Sequence, residues 1–225
     1  EYENWYRWSN TNPNYTGPWG QPVWHHNDTN NKYYYGLFWS GMPDLNYENE
    51  NVQEKMKDIA SFWLEDIGVD GFRCDAVKYI FEENTILENT SETYQWWSDF
   101  HNYYKSLKPD AFSVGEAWDS SNIVLSYTGD KFDTCFEFQL ASDIISSVES
   151  QSALSIKSKM KYLKSSFPYH QYATFLTNHD QNRLMNELSE SVGNYKLASA
   201  IYLTLPGYPF IYYGEEIGMR GEKPD

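Results

Sequence analysis

The chain has few cysteines, few basic residues and no long hydrophobic run. Its 225 residues include only two cysteines, too few for a disulfide framework, and both lie in apolar segments that favour buried free thiols. Lysine and arginine number 17 against 32 aspartates and glutamates, so the net charge is −15. This charge argues against nucleic acid and anionic membranes as partners, because both attract basic patches. No apolar stretch approaches the roughly 20 residues of a membrane span.

Aromatic residues, by contrast, are abundant at 18% of the chain, and many fall within residues 1–48. There they alternate with Asn, Gly and Pro and follow neither a helical nor a strand period. The region is therefore predicted to be a long irregular segment, and such segments usually serve a function. The rings either pack on one another or present flat apolar faces to an amphipathic ligand such as a sugar.

From residue 50 onward, predicted strands and helices alternate. Apolar residues at steps of three and four predict helices over 50–67, 91–107, 140–163 (interrupted near 150–155) and 195–205. Short apolar runs predict strands at 69–77, 111–118, 132–138, 173–178 and 210–213. This alternation favours βαβ units and a parallel sheet.

Three acidic residues follow predicted strands: Asp75, Glu116 and Asp180. In a parallel sheet the carboxyl ends of the strands meet at one edge, so we expect these side chains to lie together. Polar residues that could assist them stand nearby in the sequence: Arg73 and Lys78 flank Asp75, and His179 and Arg183 flank Asp180. Glycoside hydrolysis needs such paired carboxyl groups, although each acid taken alone is equally an ordinary cap or ion-pair residue.

Several motifs resemble the α-amylase family, the retaining (β/α)8-barrel glycoside hydrolases of family 13. GFRCDAVKYI (71–80) is similar to the family's second signature region, GEAW (115–118) to the third and FLTNHD (175–180) to the fourth. MPDLN (42–46) resembles the motif that closes the domain protruding after the third strand, and PGYPFIYYGEEIGM (206–219) the eighth-strand region. Their order and spacing also fit, with 41 residues from Asp75 to Glu116 and 64 from Glu116 to Asp180.

The resemblance implies an α/β fold, a partial (β/α)8 TIM barrel containing strands 4 to 8. Residues 1–48 would form the C-terminal part of the irregular domain inserted after strand 3, and residues 49–225 the catalytic barrel. The family's first signature region is absent, so we expect the chain to lack strands 1 to 3. A barrel without these strands exposes two sheet edges, and we expect the isolated polypeptide to be unstable and weakly active or inactive.

The resemblance also implies roles for individual residues. Asp75 would be the nucleophile that forms a covalent glycosyl-enzyme, Glu116 the general acid and then base, and Asp180 a stabiliser of the distorted sugar. Arg73 would keep Asp75 ionised, because a close cation lowers the pKa of a carboxyl group. His179 would bind the same sugar, and Lys78 and Arg183 are further candidates for substrate binding.

Family members often hold a structural calcium ion. By resemblance, Asp44 would supply a carboxylate ligand and Tyr79 its backbone carbonyl, although Asp44 could equally cap the helix that begins near residue 50. The resemblance further implies an extracellular or cell-surface protein, since a polymeric glucan is met outside the cell. The first ten residues do not read as a signal peptide.

The function predicted on this basis is cleavage of α-1,4-glucosidic bonds in starch-like glucans with retention of configuration. Neopullulanase or cyclomaltodextrinase, oligosaccharide α-glucosidase and transglycosylase activities remain open, because the motifs do not fix acceptor sites. An alternative of another class is a non-catalytic carbohydrate-binding or interaction homologue. The retained acids disfavour it, because such proteins usually lose one or more of the three. A plain α/β protein with chance motifs is the third reading.

Overall fold

The structure, a computed structural model, describes residues 2–168 and 170–223. The predicted domain ranges include residues 1, 169, 224 and 225, which lie outside the described part. Two compact units are seen: Glu1–Gly71 with Val77–Ala111, and Phe72–Ala76 with Phe112–Asp225. The division predicted between residues 48 and 49 stays a prediction.

In the first unit, the region predicted to be irregular contains a small antiparallel sheet. Its strands are β1 (Trp8–Ser9), β2 (Trp24–Asn27) and β3 (Lys32–Tyr35), in the order β1-β3-β2. The rings of Trp24 and Tyr35 meet edge to face at 5.4 Å, and Val23, Tyr35 and Leu37 belong to a small buried core. Cross-strand aromatic pairs of this kind stabilise short strands that lack an alternating pattern.

Two helices follow in the same unit. Helix α1 (Glu50–Ser61) is capped by Asn49, whose side chain accepts a hydrogen bond from the Asn51 N–H, and it continues as a π-helix over Phe62–Ile67. Gly68 ends this run in the left-handed conformation at φ 80°, which a glycine adopts without steric cost. Helix α2 (Ser91–Leu107) has the predicted bounds.

The second unit carries five short strands: β4 (Gly71–Cys74), β5 (Phe112–Gly115), β6 (Thr134–Cys135), β7 (Ala173–Thr174) and β8 (Tyr208–Pro209). They form a sheet of order β4-β5-β6 and a pair β7-β8, with β5-β6 and β7-β8 parallel. An isolated parallel bridge joins Phe136 to Ala173. The first four strands fall within predicted ranges, but the fifth lies just before the predicted range of 210–213.

The helices of the second unit are α3 (Ser121–Tyr127), α4 (Phe138–Glu149), α5 (Leu154–Ser166), α6 (Leu184–Glu187) and α7 (Val192–Thr204). The predicted interruption near residues 150–155 is confirmed, whereas α3 and α6 were not predicted. Phe138, Ala141 and Phe175 form a core cluster against which Phe136 and Phe210 pack. Among the described residues, no helix has both the length and the apolar character to cross a membrane.

Candidate active site

Arg73 connects two of the three predicted acids. It lies on β4, and its guanidinium donates through Nη1 to Asp75, which follows the strand directly. Its Nη2 lies 3.0 Å from Glu116 Oε2, and Glu116 directly follows β5. Both carboxyl groups thus contact one planar cation. The contact between Arg73 and Asp75 is the one that their two-residue spacing predicts, because side chains two apart on a strand share a face.

Glu116 is also held by backbone hydrogen bonds at the ends of β4 and β5. The Ala76 N–H donates to Glu116 Oε2 at 3.1 Å, and the Glu116 N–H donates to the Cys74 carbonyl at 2.9 Å. Ala76 adopts a left-handed conformation with φ 45°, which is uncommon for a residue with a Cβ. Strain of this kind costs about 1–3 kcal/mol and is found where the surrounding structure fixes a functional group.

The two acids that share Arg73 differ in environment. Glu116 is only 7% exposed, and burial raises its pKa above the ordinary glutamate value. The Ala76 N–H and Arg73 oppose this rise, whereas the negative charges of Asp75 and Asp180 add to it. The Asp75 side chain is 71% exposed. A buried carboxyl with a raised pKa beside an open carboxylate is an arrangement that separates acid and nucleophile roles.

The third acid and the predicted histidine lie on the loop after β7. The backbone N–H of Asp180 donates a hydrogen bond to Asn178 Oδ1 at 3.0 Å. The Asp180 side chain lies next to His179, with 3.3 Å between Asp180 Oδ2 and His179 Nε2. Lys223 Nζ approaches Asp180 Oδ1 at 3.6 Å. The negative charge of Asp180, like that of Asp75, adds to the raised pKa of Glu116.

A cavity of about 180 Å³ opens beside these groups. The residues that line it are Arg73, Phe136, Phe175, Thr177, Asn178, His179, Phe210, Ile211 and Tyr212. Its lining combines aromatic rings with hydrogen-bonding side chains. This combination suits an amphipathic ligand with apolar faces and polar edges.

The guanidinium of Arg183 is engaged within the protein. It lies 4.1 Å from the centre of the Tyr212 ring and 4.3 Å from that of Tyr213, and its Nη1 donates to the Tyr213 carbonyl. These contacts fix the loop after β8, one of whose residues, Tyr212, lines the cavity. Substrate binding by Arg183 itself stays a prediction.

The remaining predicted site residues belong to the first compact unit. Lys78 is buried, and its Nζ lies 2.8 Å from Glu88 Oε2 and 5.2 Å from the centre of the Tyr79 ring. Asp44 is half-buried and accepts a hydrogen bond from the Leu37 N–H at 3.1 Å. Burial raises the pKa of Asp44 to about 6, although this N–H, Arg7 and His25 oppose the rise. The substrate-binding role of Lys78 stays a prediction.

Several cavity residues were not predicted from the sequence. The aromatic side chains of Phe136, Phe175 and Phe210 occupy strand-like apolar runs and are indistinguishable there from ordinary core residues. Asn178 lies within the FLTNHD motif, directly before the predicted His179, and this position was the one available signal for it. Nothing in the sequence indicates the left-handed backbone of Ala76.

This backbone gives a direct test of how Glu116 is held. Ala76→Gly is expected to be nearly neutral, because glycine adopts a positive φ without strain. Ala76→Val is expected to lower the free energy of unfolding by about 1–3 kcal/mol, since a β-branched residue disfavours this region, and to misplace the N–H that binds Glu116. Denaturant unfolding of both variants measures the difference. Equal stability of the Gly and Val variants would show that the conformation is not required.

Comparison with known proteins identifies the family. The sequence model described as "Alpha amylase, catalytic domain" matches residues 1–224. Alpha-amylase 3 of Dictyoglomus thermophilum is 43% identical over 228 residues, which cover 100% of this chain and 43% of that protein. A cyclomaltodextrinase of Geobacillus thermopakistaniensis is 32% identical over 185 residues, which cover 80% of this chain and 29% of that protein. The chain thus spans less than half the length of these relatives.

The crystal structure of the alpha-amylase from H. orenii matches with a TM-score of 0.88 and 41% identity. The match covers 100% of this chain and 46% of that one. It confirms the predicted fold, a partial (β/α)8 barrel. The motifs, the fold and the relatives agree, and the chain belongs to the alpha-amylase catalytic-domain family.

Proposed function

We propose that the protein containing this chain is a retaining glycoside hydrolase that cleaves α-1,4-glucosidic bonds in starch-like glucans. The observation that carries the proposal is the pairing of Asp75 and Glu116 on the Arg73 guanidinium. Retaining enzymes need two carboxyl groups about 5–5.5 Å apart, one as nucleophile and one as acid and base. A single guanidinium that contacts both groups supports a separation of this order.

In the first step, a carboxylate oxygen of Asp75 attacks the anomeric carbon of the sugar while the bond to the leaving oxygen breaks. Glu116 gives its proton to that oxygen, so the departing chain leaves as a neutral alcohol. The raised pKa of Glu116 favours the protonated form that this step needs, and the Arg73 guanidinium, which donates to Asp75, orients the attacking carboxylate. The product of the step is a covalent glycosyl-enzyme.

In the second step, Glu116, now ionised, takes a proton from water. The water oxygen attacks the anomeric carbon, and the bond to Asp75 breaks, which restores both carboxyl groups. Two inversions at the anomeric carbon give net retention. Asp180 and His179 bind hydroxyl groups of the same sugar and stabilise its flattened, positively charged transition state. The position of His179 on the cavity wall supports this role.

The alternatives are the related activities of the same family: neopullulanase or cyclomaltodextrinase, oligosaccharide α-glucosidase and transglycosylase. The similarity to a cyclomaltodextrinase is the reason to test for them. The complete protein is to be assayed on soluble starch, maltotriose, pullulan and cyclodextrin. An α-amylase shortens starch and acts poorly on cyclodextrin, whereas a cyclomaltodextrinase prefers the ring. New oligosaccharides longer than the substrate would indicate transglycosylation. Binding without cleavage of any of these glucans would favour the non-catalytic homologue.

We further propose a structural calcium ion with ligands from Asp44 and Tyr79. The described residues contain no cluster of three His, Cys, Asp or Glu side chains that could hold a metal, so carbonyl, amide and water oxygens would complete the set. The carboxylate of Asp44 fits such a site, because it is half-buried and is not itself part of an ion pair among the described residues. The ion would stabilise this region of the fold and take no part in bond cleavage.

The calcium proposal predicts a change in thermal stability. Calcium at one hundred times its Kd is expected to add about 2.7 kcal/mol to the free energy of unfolding and to raise Tm relative to protein in EDTA. Asp44→Asn is expected to remove the increase. Asp28→Asn is the matched control, since the Asp28 side chain is 99% exposed and, within residues 2–168 and 170–223, pairs with His26 alone. A wild-type Tm that is the same in calcium and in EDTA would exclude the site.

Extracellular or cell-surface localisation is also proposed, because glucan polymers cannot enter a cell intact. Fractionation of the producing cells with an antibody to the complete protein tests it. Antigen found only inside the cell would exclude this localisation and favour oligosaccharides as substrates.

A further inference from the structure

Glu215 is a buried acid that the mechanism above does not use. It begins a short 3-10 turn (Glu215–Ile217) after β8, is 8% exposed and does not line the cavity. Burying a carboxyl group costs free energy unless hydrogen bonds compensate. The hydrogen bonds of Glu215 therefore indicate what its burial stabilises.

Neutral donors from three segments surround the carboxyl group. Thr177 Oγ1 donates to Oε1 at 3.3 Å, and the Thr177 N–H also hydrogen-bonds to the group. The Tyr212 N–H donates to Oε2 at 3.2 Å, and Tyr202 Oη on α7 lies 3.4 Å from the same oxygen. These donors match the acceptor capacity of an ionised carboxylate, which is about four hydrogen bonds.

No basic side chain among residues 2–168 and 170–223 forms an ion pair with Glu215. Burial raises the pKa of the group, and the hydrogen bonds oppose the rise. An acid held only by neutral donors is a poor source of stability, because a hydrophobic residue of similar volume could fill the space at lower cost. What the acid adds is a fixed geometry among the segments that donate to it.

Two of those segments, the loops after β7 and β8, carry residues of the candidate active site. Thr177 directly precedes Asn178, His179 and Asp180, and it lines the cavity together with Asn178 and His179. Tyr212 lines the cavity from the other loop, and its ring is the one that Arg183 covers. The carboxylate therefore joins the loop after β7 to the loop after β8 directly behind the cavity wall.

We propose that Glu215 is a positioning residue of this active site, which holds the loop bearing His179 and Asp180 against the loop bearing Tyr212. The inference rests on the proposed function. It adds a residue that touches no substrate and acts through Asp180 and His179. Displacement of catalytic groups by about 1 Å can cost on the order of a hundredfold in rate, so a modest loosening of this link has a large effect.

The test compares three variants of the complete protein. Glu215→Gln keeps the size of the side chain but replaces one carboxylate oxygen with an NH₂ group, which cannot accept the hydrogen bonds that this oxygen accepts. Thr177→Val removes one hydroxyl donor and keeps the shape. Tyr195→Phe is the matched control, because its hydroxyl donates to the Glu215 carbonyl and not to the carboxylate.

We expect Glu215→Gln and Thr177→Val to lower kcat about tenfold to a hundredfold, with KM changed much less. Tyr195→Phe is expected to lower Tm but to keep kcat within about threefold of the wild type, because the catalytic groups are not displaced. In an Asp180→Asn background, Glu215→Gln should add little further loss, because the link acts through that loop. The ring resonances of His179, one of five histidines, should shift in Glu215→Gln and not in Tyr195→Phe.

Suppose that the wild-type protein cleaves glucans and that Glu215→Gln and Thr177→Val both keep the wild-type kcat and the wild-type His179 resonances. This result would overturn the inference and leave the proposed function intact. Equal losses of kcat in all three variants, or full additivity with Asp180→Asn, would show a general structural role and overturn it as well. A wild-type protein that cleaves no glucan removes the proposed function and the inference together.

Discussion

Asp75→Asn is expected to abolish glucan cleavage, with a loss in kcat on the order of 10⁶-fold, as when the nucleophile of another covalent enzyme is removed. An amide does not form the glycosyl-enzyme. The fold should survive, because the Asp75 side chain is 71% exposed and exposed ion pairs contribute only about 0–1 kcal/mol. Comparison of kcat with Tm for the purified complete protein separates the two effects.

The same substitution should also move the pKa of Glu116. The charge of Asp75 raises that pKa, and Arg73 lowers it. Removing Asp75 while keeping Arg73 therefore lowers the pKa of Glu116, which carbon-13 NMR of labelled glutamate can follow. An Asp75→Asn protein that retains activity within tenfold of the wild type would rule out Asp75 as the nucleophile.

Glu116→Gln is expected to lower kcat on natural glucans by about 10²–10⁴-fold, the usual contribution of a general acid. A glucoside with a good leaving group needs no proton in the first step. On such a substrate the glycosyl-enzyme should form at close to the normal rate and then accumulate, because no base activates water. Mass spectrometry of the intact protein would detect the added sugar.

The pH dependence has a definite sign. The first step needs protonated Glu116, so kcat/KM of the wild type should fall as the pH rises through the raised pKa of this group. With the activated glucoside, Glu116→Gln should lack this fall. Equal losses on natural and activated substrates, with the fall unchanged, would assign the acid to another residue.

The sequence predicted those elements whose side chains repeat with a clear period. Helix α2 has its predicted bounds because its apolar residues are spaced three and four apart and Pro109 lies just beyond its end. The last strand was misplaced because Phe210–Tyr213 is an apolar run. The chain nevertheless leaves the sheet at Pro209, and both Ile211 and Tyr213 face solvent. Hydrophobicity alone does not separate a strand from an exposed apolar loop.

Site residues were predictable where a sequence motif contains them. They were not predictable where the backbone conformation or a contact distant in sequence determines their role. Asp75 and Glu116 come together as the parallel strands imply, and Arg73 contacts both. Ala76 has a positive φ, and an alanine in a sequence gives no indication of such a conformation. Glu215 stands beside the exposed Glu216, and only the fold shows which of the two is buried.

The configuration of the first product tests the central claim most directly, that Asp75 and Glu116 act as a retaining pair. Proton NMR of the complete protein acting on a maltooligosaccharide shows the anomeric signal before mutarotation equilibrates it. The account predicts that the α-anomer appears first. Initial formation of the β-anomer would contradict it, because inversion needs carboxyl groups about 6.5–9.5 Å apart with water between them, and Asp75 would then not be a nucleophile.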